Sequence, residues 1–321
     1  MNDIKEKLNQ FAEMVAQSAT IAIMAHNNPD GDALCSVLGL CHLIELNFGK
    51  SPVCLYDGNI PGYLDVVPLR DKMVCVEQAP AEPFDLVIVL DCGALYQMAR
   101  GTAILAAAKD KIEIDHHHKE DDGALAELNF NDDTRCATAE IIDQMMRAAD
   151  WVYDMDVLNL LTIGVLTDTG NLRFVRQSDP LRMMADFVDR GINIGYWMDA
   201  LAVNPRRAVL TEAAVTSRAE FFHNGRLALA TVPRSDYKNL DGKGALIMNL
   251  LGQIRGVEYV AVLKQQRPDQ IGVSLRSRTH PVDGFARALG GGGHTYAAGA
   301  VVRDTLENVR QRVIDLFKGE E

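Results

Sequence analysis

Histidines and aspartates carry most of the chemistry this chain can offer. HNNPDGDA sets His26, Asp30 and Asp32 around a turn punctuated by Pro29 and Gly31. DCG puts Asp91 directly after an apolar run. Asp115, His116, His117 and His118 follow one another inside KIEIDHHHKEDD, and LTDTG adds Asp168. Imidazole with carboxylate is a ligand set for divalent transition metals. Each motif alone also has a plainer reading. An Asp-rich turn caps the helix after it, a carboxylate after a strand begins a turn, Asp168 ends a helix beside Gly170, and a histidine run is a solvated loop.

Together they match the inventory needed by two divalent ions about 3.5–4 Å apart, often with one carboxylate shared. His26, Asp30 and Asp91 are expected to hold one ion, and Asp32, Asp91, His116 and Asp168 the other. Asp91 is the expected shared ligand because it ends the central strand. The mixed set favours Mn²⁺, with Mg²⁺, Co²⁺ or Zn²⁺ as alternatives. Asp115 suits the orienting of an imidazole by hydrogen bond, and His118 receives no role. Water between two such ions becomes the nucleophile near neutral pH, so no protein nucleophile is required, and no GxSxG motif occurs.

A fold must bring these points together. Residues 4–19 have helical spacing, Thr20–Ala25 reads as a short buried strand, and Ala33–Phe48 as an apolar helix closed by Gly49. Pro52–Tyr56 is a second strand. Phe84–Leu90 (FDLVIVL) is a fully apolar run of the kind buried on both faces of a parallel sheet. Lys111–Ile114 ends at the histidines. Thus strands preceding His26, Asp91 and His116 each deliver ligand types at their carboxyl ends, where open α/β sheets bind ligands. Cys136–Ala149 and Asp156–Leu166 are expected helices. Strands are expected at Arg226–Val232, Glu258–Leu263 and Gln270–Leu275, then a loop and short helix over Pro281–Leu289, the run GGGGHTYAAGA, and a last helix over Thr305–Phe317.

The expected fold class is α/β: a larger N-terminal domain with a mainly parallel sheet flanked by helices, and a smaller α/β C-terminal domain. The expected boundaries are 1–185, a helical connector over 186–220, and 221–321, with the active site in the interdomain cleft. In the second domain, Gly290–Gly293 could form an anion nest or only a flexible turn. SLRSR brings Arg276, Ser277 and Arg278, and its guanidiniums suit phosphate or are plain surface charge.

The chain has 321 residues, 48% hydrophobic and 24% charged, an ordinary globular balance. Its net charge of −12 argues against gripping long duplex nucleic acid. No apolar run reaches the ~20 residues of a bilayer span, and the N-terminus lacks a signal peptide's apolar segment. The six cysteines form no CxxC pair, and several lie in apolar runs that favour buried thiols over disulfides. A cytoplasmic protein is expected.

HNNPDGDA, DCG, DHH and LTDTGNLRF, in that order, resemble the signature motifs of the DHH phosphoesterase superfamily. GGGGH with SLRSR upstream is similar to its DHH-associated C-terminal domain. Size and domain plan look most like the nanoRNases, or bifunctional oligoribonuclease and pAp phosphatases. Cyclic-dinucleotide phosphodiesterases are relatives in architecture. The resemblance implies the same metal ligands (His26, Asp30, Asp32, Asp91, His116 and Asp168), and catalytic roles for Asp91, Asp115 and His117. His117 would lie near the scissile phosphate. Arg276, Ser277, Arg278, Gly291, Gly292, Gly293 and His294 would bind substrate: short RNA, linear dinucleotides such as pApA, or pAp. A homodimer is compatible with this plan. A family II-type pyrophosphatase, a processive exonuclease and a non-catalytic nucleotide sensor are the competing readings.

Overall fold

A computed structural model describes residues 2–118, 124–175, 177–240 and 244–318, with Asn2, Asp3 and His294 by backbone alone. The chain forms two compact units, residues 1–203 and 204–321.

The first unit runs α1 (Asn2–Gln17), β1 (Ile21–Met24), α2 (Gly31–Phe48), β2 (Val53–Tyr56), β3 (Met73–Cys75), β4 (Leu86–Leu90), α3 (Gly101–Ala107), β5 (Asp110–Asp115), β6 (Leu128–Asn131), α4 (Thr138–Ala148), α5 (Met155–Asp168), α6 (Asp179–Asp189) and α7 (Ile194–Ala202). Its sheet has the order β3-β2-β1-β4-β5-β6, and all five strand pairs are parallel. Strand order reverses between β1 and β4, which opens a crevice beyond their carboxyl ends. Alternation along the strands divides the core. Ile21, Ile23, Leu86, Ile88 and Leu90 face α1, α2, α4 and α5, while Ala22, Met24, Val87 and Val89 face the side of α3. Burial on both faces is why β4 reads as an unbroken apolar run.

Helix α2 is apolar nearly all round because it lies between the sheet and α5. It has the length and composition to cross a bilayer, with mean hydropathy 1.2 over 18 residues, but 72% of it is buried within the protein. Its packing over β2 also corrects an expectation. Cys41 on α2 and Cys54 on β2, 6.6 Å apart at Cα, are joined as a disulfide, of which Cys35, Cys75, Cys92 and Cys136 are not part.

The second unit contains α8 (Arg206–Thr216), β7 (Glu220–Phe222), β8 (Leu227–Val232), α9 (Arg234–Tyr237), α10 (Ala245–Leu251), β9 (Tyr259–Arg267), β10 (Gln270–Ser277), α11 (Asp283–Ala288), β11 (Gly292–His294), β12 (Ala297–Arg303) and α12 (Leu306–Leu316). The sheet order is β11-β12-β10-β9-β8-β7, antiparallel except for β8 with β9. Apolar clusters fill both faces, one against α11 and α12 and the other against α8 and α10. The stretch expected as a connector is shared between the units. The Trp197 indole N–H donates to Asn159 at 2.7 Å, tying α7 to α5, whereas Glu212 on α8 accepts the Leu246 amide at the start of α10. β3, β6 and β12 escape the periodicity reading because they are very short or rich in alanine and glycine.

His42 anchors the far end of α2 to the start of α5. Its ring nitrogens lie 2.9 Å from Glu45 and 2.8 Å from Asp154. Burial opposes its charge, but hydrogen bonds to the two carboxylates outweigh burial and raise its pKa above the ordinary 6.5. This contribution to stability is therefore complete below about pH 6.5 and is lost as pH rises through the elevated folded value. Thermal melts from pH 6 to 9 should show the stability gap between wild type and His42→Gln closing with rising pH. The gap should amount to about 2–4 °C for each kcal/mol involved.

Candidate metal centre

Every expected ligand lies at the carboxyl-end edge of the first unit's sheet. β1 leads into His26, and Asp30 is the N-cap of α2, accepting the Ala33 amide at 3.2 Å. β4 leads into Asp91, β5 ends at Asp115 followed by His116, and α5 ends on Asp168. Asp91 has φ of +50°, a left-handed conformation that costs a non-glycine residue of order 1–3 kcal/mol. Its amide still donates to the Ile114 carbonyl at 3.0 Å, so β4 turns sharply right at the last rung of the ladder.

The Asp91 oxygens face two ways. Oδ2 is 3.8 Å from His26 Nε2, and Oδ1 is 3.3 Å from His116 Nε2. His26 Nε2 also lies 3.9 Å from Asp30 Oδ1, and His116 Nε2 lies 3.1 Å from Asp168 Oδ2. Donor atoms of His26, Asp30 and Asp91 fall within 4.8 Å of one another, as do those of Asp32, His116 and Asp168. Donors about 2.1 Å from one octahedral ion are separated by roughly 3.0 Å when adjacent and 4.2 Å when opposed, so these spacings fit divalent cations. The same criterion also groups Asp91, His116 and His117. Carboxylate and imidazole donors are the right chemistry for such an ion.

The hydrogen bonds around the ligands fix their orientation. His116 Nδ1 donates to the Arg135 carbonyl at 3.3 Å, which leaves Nε2 facing Asp91 and Asp168. Arg135 is held by Glu140 at 2.9 Å and Asp179 at 2.7 Å. Asp115 orients His117 rather than His116. Its Oδ1 accepts from His117 Nδ1 at 2.7 Å and from the His117 amide at 3.2 Å. His118 points outward to Asp133. The fully buried Asp32 accepts amide N–H groups of Thr138 at 2.6 Å and Ala139 at 3.1 Å, at the start of α4. Sequence reading did not single out Thr138, Arg135 or Glu140, since RCATAE has no metal-ligand pattern.

Crowding of carboxylates divides their acidities. Burial, reinforced by Asp91 and Asp168, raises the Asp32 pKa well above the ordinary carboxyl value. Burial with Asp30 and Asp91 pushes Asp168 up to about 6 against the pull of His116. Asp91 goes the other way. Burial would raise it, but His116, His26 and His117 hold it well below the usual range. A carboxylate at the C-terminus of α5 also meets the negative end of the helix dipole, so Asp168 gains from a nearby cation.

The second unit's expected binding residues lie on two neighbouring pieces. Arg276 and Arg278 are exposed near the end of β10. Ser277 is buried, and its hydroxyl accepts amides of Thr279 and His280, so it closes a turn. Two of the four glycines, Gly292 and Gly293, lie in a strand, and Gly290 closes a turn before it. The Gly290 and Gly291 amides are committed to Arg287 and Ala286 carbonyls at 2.9 Å, and Gly292–His294 form β11 against β12. A Cβ on Gly293 would sit 2.8 Å from the Ala297 carbonyl oxygen, so close approach to β12 itself demands glycine there. The His294 side chain lies outside the described part of the structure.

Comparison with known proteins gives these residues a context. The DHH family N-terminal domain matches residues 20–165, and the DHHA1 domain matches residues 225–319. The chain is 29% identical to the bifunctional oligoribonuclease and PAP phosphatase NrnA of Thermus thermophilus, over 98% of this chain and 94% of that protein. It is 24% identical to the cyclic-di-AMP phosphodiesterase PdeA of Listeria monocytogenes, over 96% of this chain but 49% of that protein. Among solved structures, an exopolyphosphatase-related protein from Bacteroides fragilis shares the fold with a TM-score of 0.86 at 20% identity, covering 98% and 97% of the two chains.

Gly164 gives a test of how tightly the centre is packed. It lies inside α5, where alanine would ordinarily stabilise the helix by about 1 kcal/mol. Here a Cβ would sit 2.6 Å from Asp32 Oδ1 and 2.7 Å from Ala139 Cβ. Gly164→Ala should therefore reverse the usual sign and destabilise the protein by about 1–3 kcal/mol. Chemical denaturation should show the loss, with weaker divalent-cation binding by calorimetry.

Proposed function

Because the chain belongs to the DHH family and carries a DHHA1 domain, we propose that it hydrolyses very short oligoribonucleotides, linear dinucleotides such as pApA, and the bisphosphate pAp to mononucleotides. The reading assigns it two divalent cations, Mn²⁺ first among them. The observation that carries it is the division of Asp91, with Oδ2 toward His26 at 3.8 Å and Oδ1 toward His116 at 3.3 Å. His26, Asp30 and Asp91 would hold one ion, and Asp32, Asp91, His116 and Asp168 the other. The substrate class is supported by the oligoribonuclease and PAP phosphatase named in Thermus thermophilus.

When bound, such ions supply positive charge to a phosphoryl group and acidity to water. The chain's own residues do the rest. Asp115 holds His117 through the ring Nδ1, which leaves Nε2 as the atom that hands a proton to the departing oxygen. Burial opposes charge on His117, but Asp115 and Asp91 outweigh it and raise its pKa. Arg276 and Arg278 suit bidentate contact with a second phosphate, with Gly291, Gly292, Gly293 and His294 as the neighbouring binding residues. The favoured substrates are then di- to pentanucleotides rather than long strands.

Two variants and a substrate panel test this. Asp91→Ala should keep the fold and lower kcat on pApA by at least about a thousandfold, beyond the ten- to hundredfold typical of an outer contact. Arg276→Ala should raise KM about tenfold with little change in kcat, the pattern of lost uniform binding. With Mn²⁺, turnover of pApA, pAp and short RNA should exceed that of cyclic dinucleotides and pyrophosphate. Hydrolysis of pyrophosphate alone would overturn the proposal, as would near-normal turnover by Asp91→Ala.

A further inference from the structure

Thr138 touches two expected ligand carboxylates that come from different segments of the chain. Its amide N–H donates to Asp32 Oδ2 at 2.6 Å, and its hydroxyl pairs with Asp91 Oδ1 at 3.1 Å. The residue is fully buried. The Thr138 hydroxyl is the donor and the Asp91 carboxylate oxygen the acceptor.

The hydroxyl has no role in capping α4. Thr138 is the first helical residue and Ala137, at the N-cap, has no side-chain acceptor. The free amides of the first turn are instead met by Asp32, which takes Thr138 and Ala139 on separate oxygens. Asp32 thus caps a helix far from it in sequence, and α4 is tied to the same carboxylate that is expected to hold an ion.

An aspartate's terminal torsion is soft and roughly two-fold. Without a fixed donor, the Asp91 carboxylate could turn and exchange the oxygen facing His26 for the one facing His116. A neutral hydroxyl on Oδ1 restrains that rotation and adds no charge. We propose that Thr138 is a positioning residue: through its amide and its hydroxyl it sets the spacing of Asp32 from Asp91 and the rotation of Asp91, and so the affinity of the centre for divalent cations. The inference rests on the two-ion reading given above.

Calorimetric titration of the full chain with Mn²⁺ tests it, alongside melting curves in EDTA that report the fold separately. Wild type should bind two ions. Thr138→Val keeps the amide and the β-branched shape but removes the donor, and should bind at least one ion about 10–100-fold more weakly. Thr138→Ala, which adds no bulk, should show the same loss if the valine variant does not fold. Thr138→Ser retains the hydroxyl and should stay within about threefold of wild type, well inside the range of a lost contact. Unchanged Mn²⁺ affinity in the folded donor-deficient variants would overturn the role of Thr138 alone, and so would a serine variant as weak as the valine one. A wild-type chain that binds no divalent cation would overturn the two-ion reading and this inference with it.

Discussion

Four carboxylates, those of Asp30, Asp32, Asp91 and Asp168, converge at one edge of a sheet, and two of them, Asp32 and Asp91, are buried. Their mutual repulsion is the constraint that the first unit is built to withstand. Left to itself, such a cluster would neutralise by protonation, and burial already drives Asp32 and Asp168 in that direction. The protein answers with imidazoles and with amides at a helix start, and its donor clusters could take up divalent charge. Asp91, beside His116, His26 and His117, is held well below the usual carboxyl range. Its left-handed backbone then makes sense as strain tolerated for the sake of a two-sided carboxylate.

The scaffold holds these carboxylates in place by packing and hydrogen bonds. α2, which bears Asp32, is wedged between the sheet and α5, with Gly164 leaving only enough room for the Asp32 carboxylate. α4 contributes amides, and the loop before it contributes the Arg135 carbonyl that orients His116. Arg135 is in turn clamped by Glu140 and Asp179, so the backbone atom that sets the His116 ring is itself held by ion pairs. Close packing converts this chain of contacts into a stiff frame, because a core without voids cannot yield at one point alone.

The second unit follows a different economy. Its antiparallel sheet places Arg276 on an exposed face while Leu275 and Ser277 turn inward. Gly291 and Gly293 gain their necessity from close approach to β12. A motif that looks made for a ligand therefore has a structural duty as well.

Much of this was legible in the linear chain. Apolar runs ending in His26, Asp91 and Asp115–His116 announce parallel strands with ligands at their carboxyl ends, since strand periodicity and residue chemistry are both local properties. The order of the motifs was enough to indicate the family. The disulfide between Cys41 and Cys54, the duty of Thr138, the reason for Gly164 and the pairing of the glycine run with β12 were not legible. Each depends on which surfaces meet once α2, α4 and α5 pack onto the sheet and β11 onto β12. Contacts between residues distant in sequence carry no periodic signal, so only the tertiary structure could decide them.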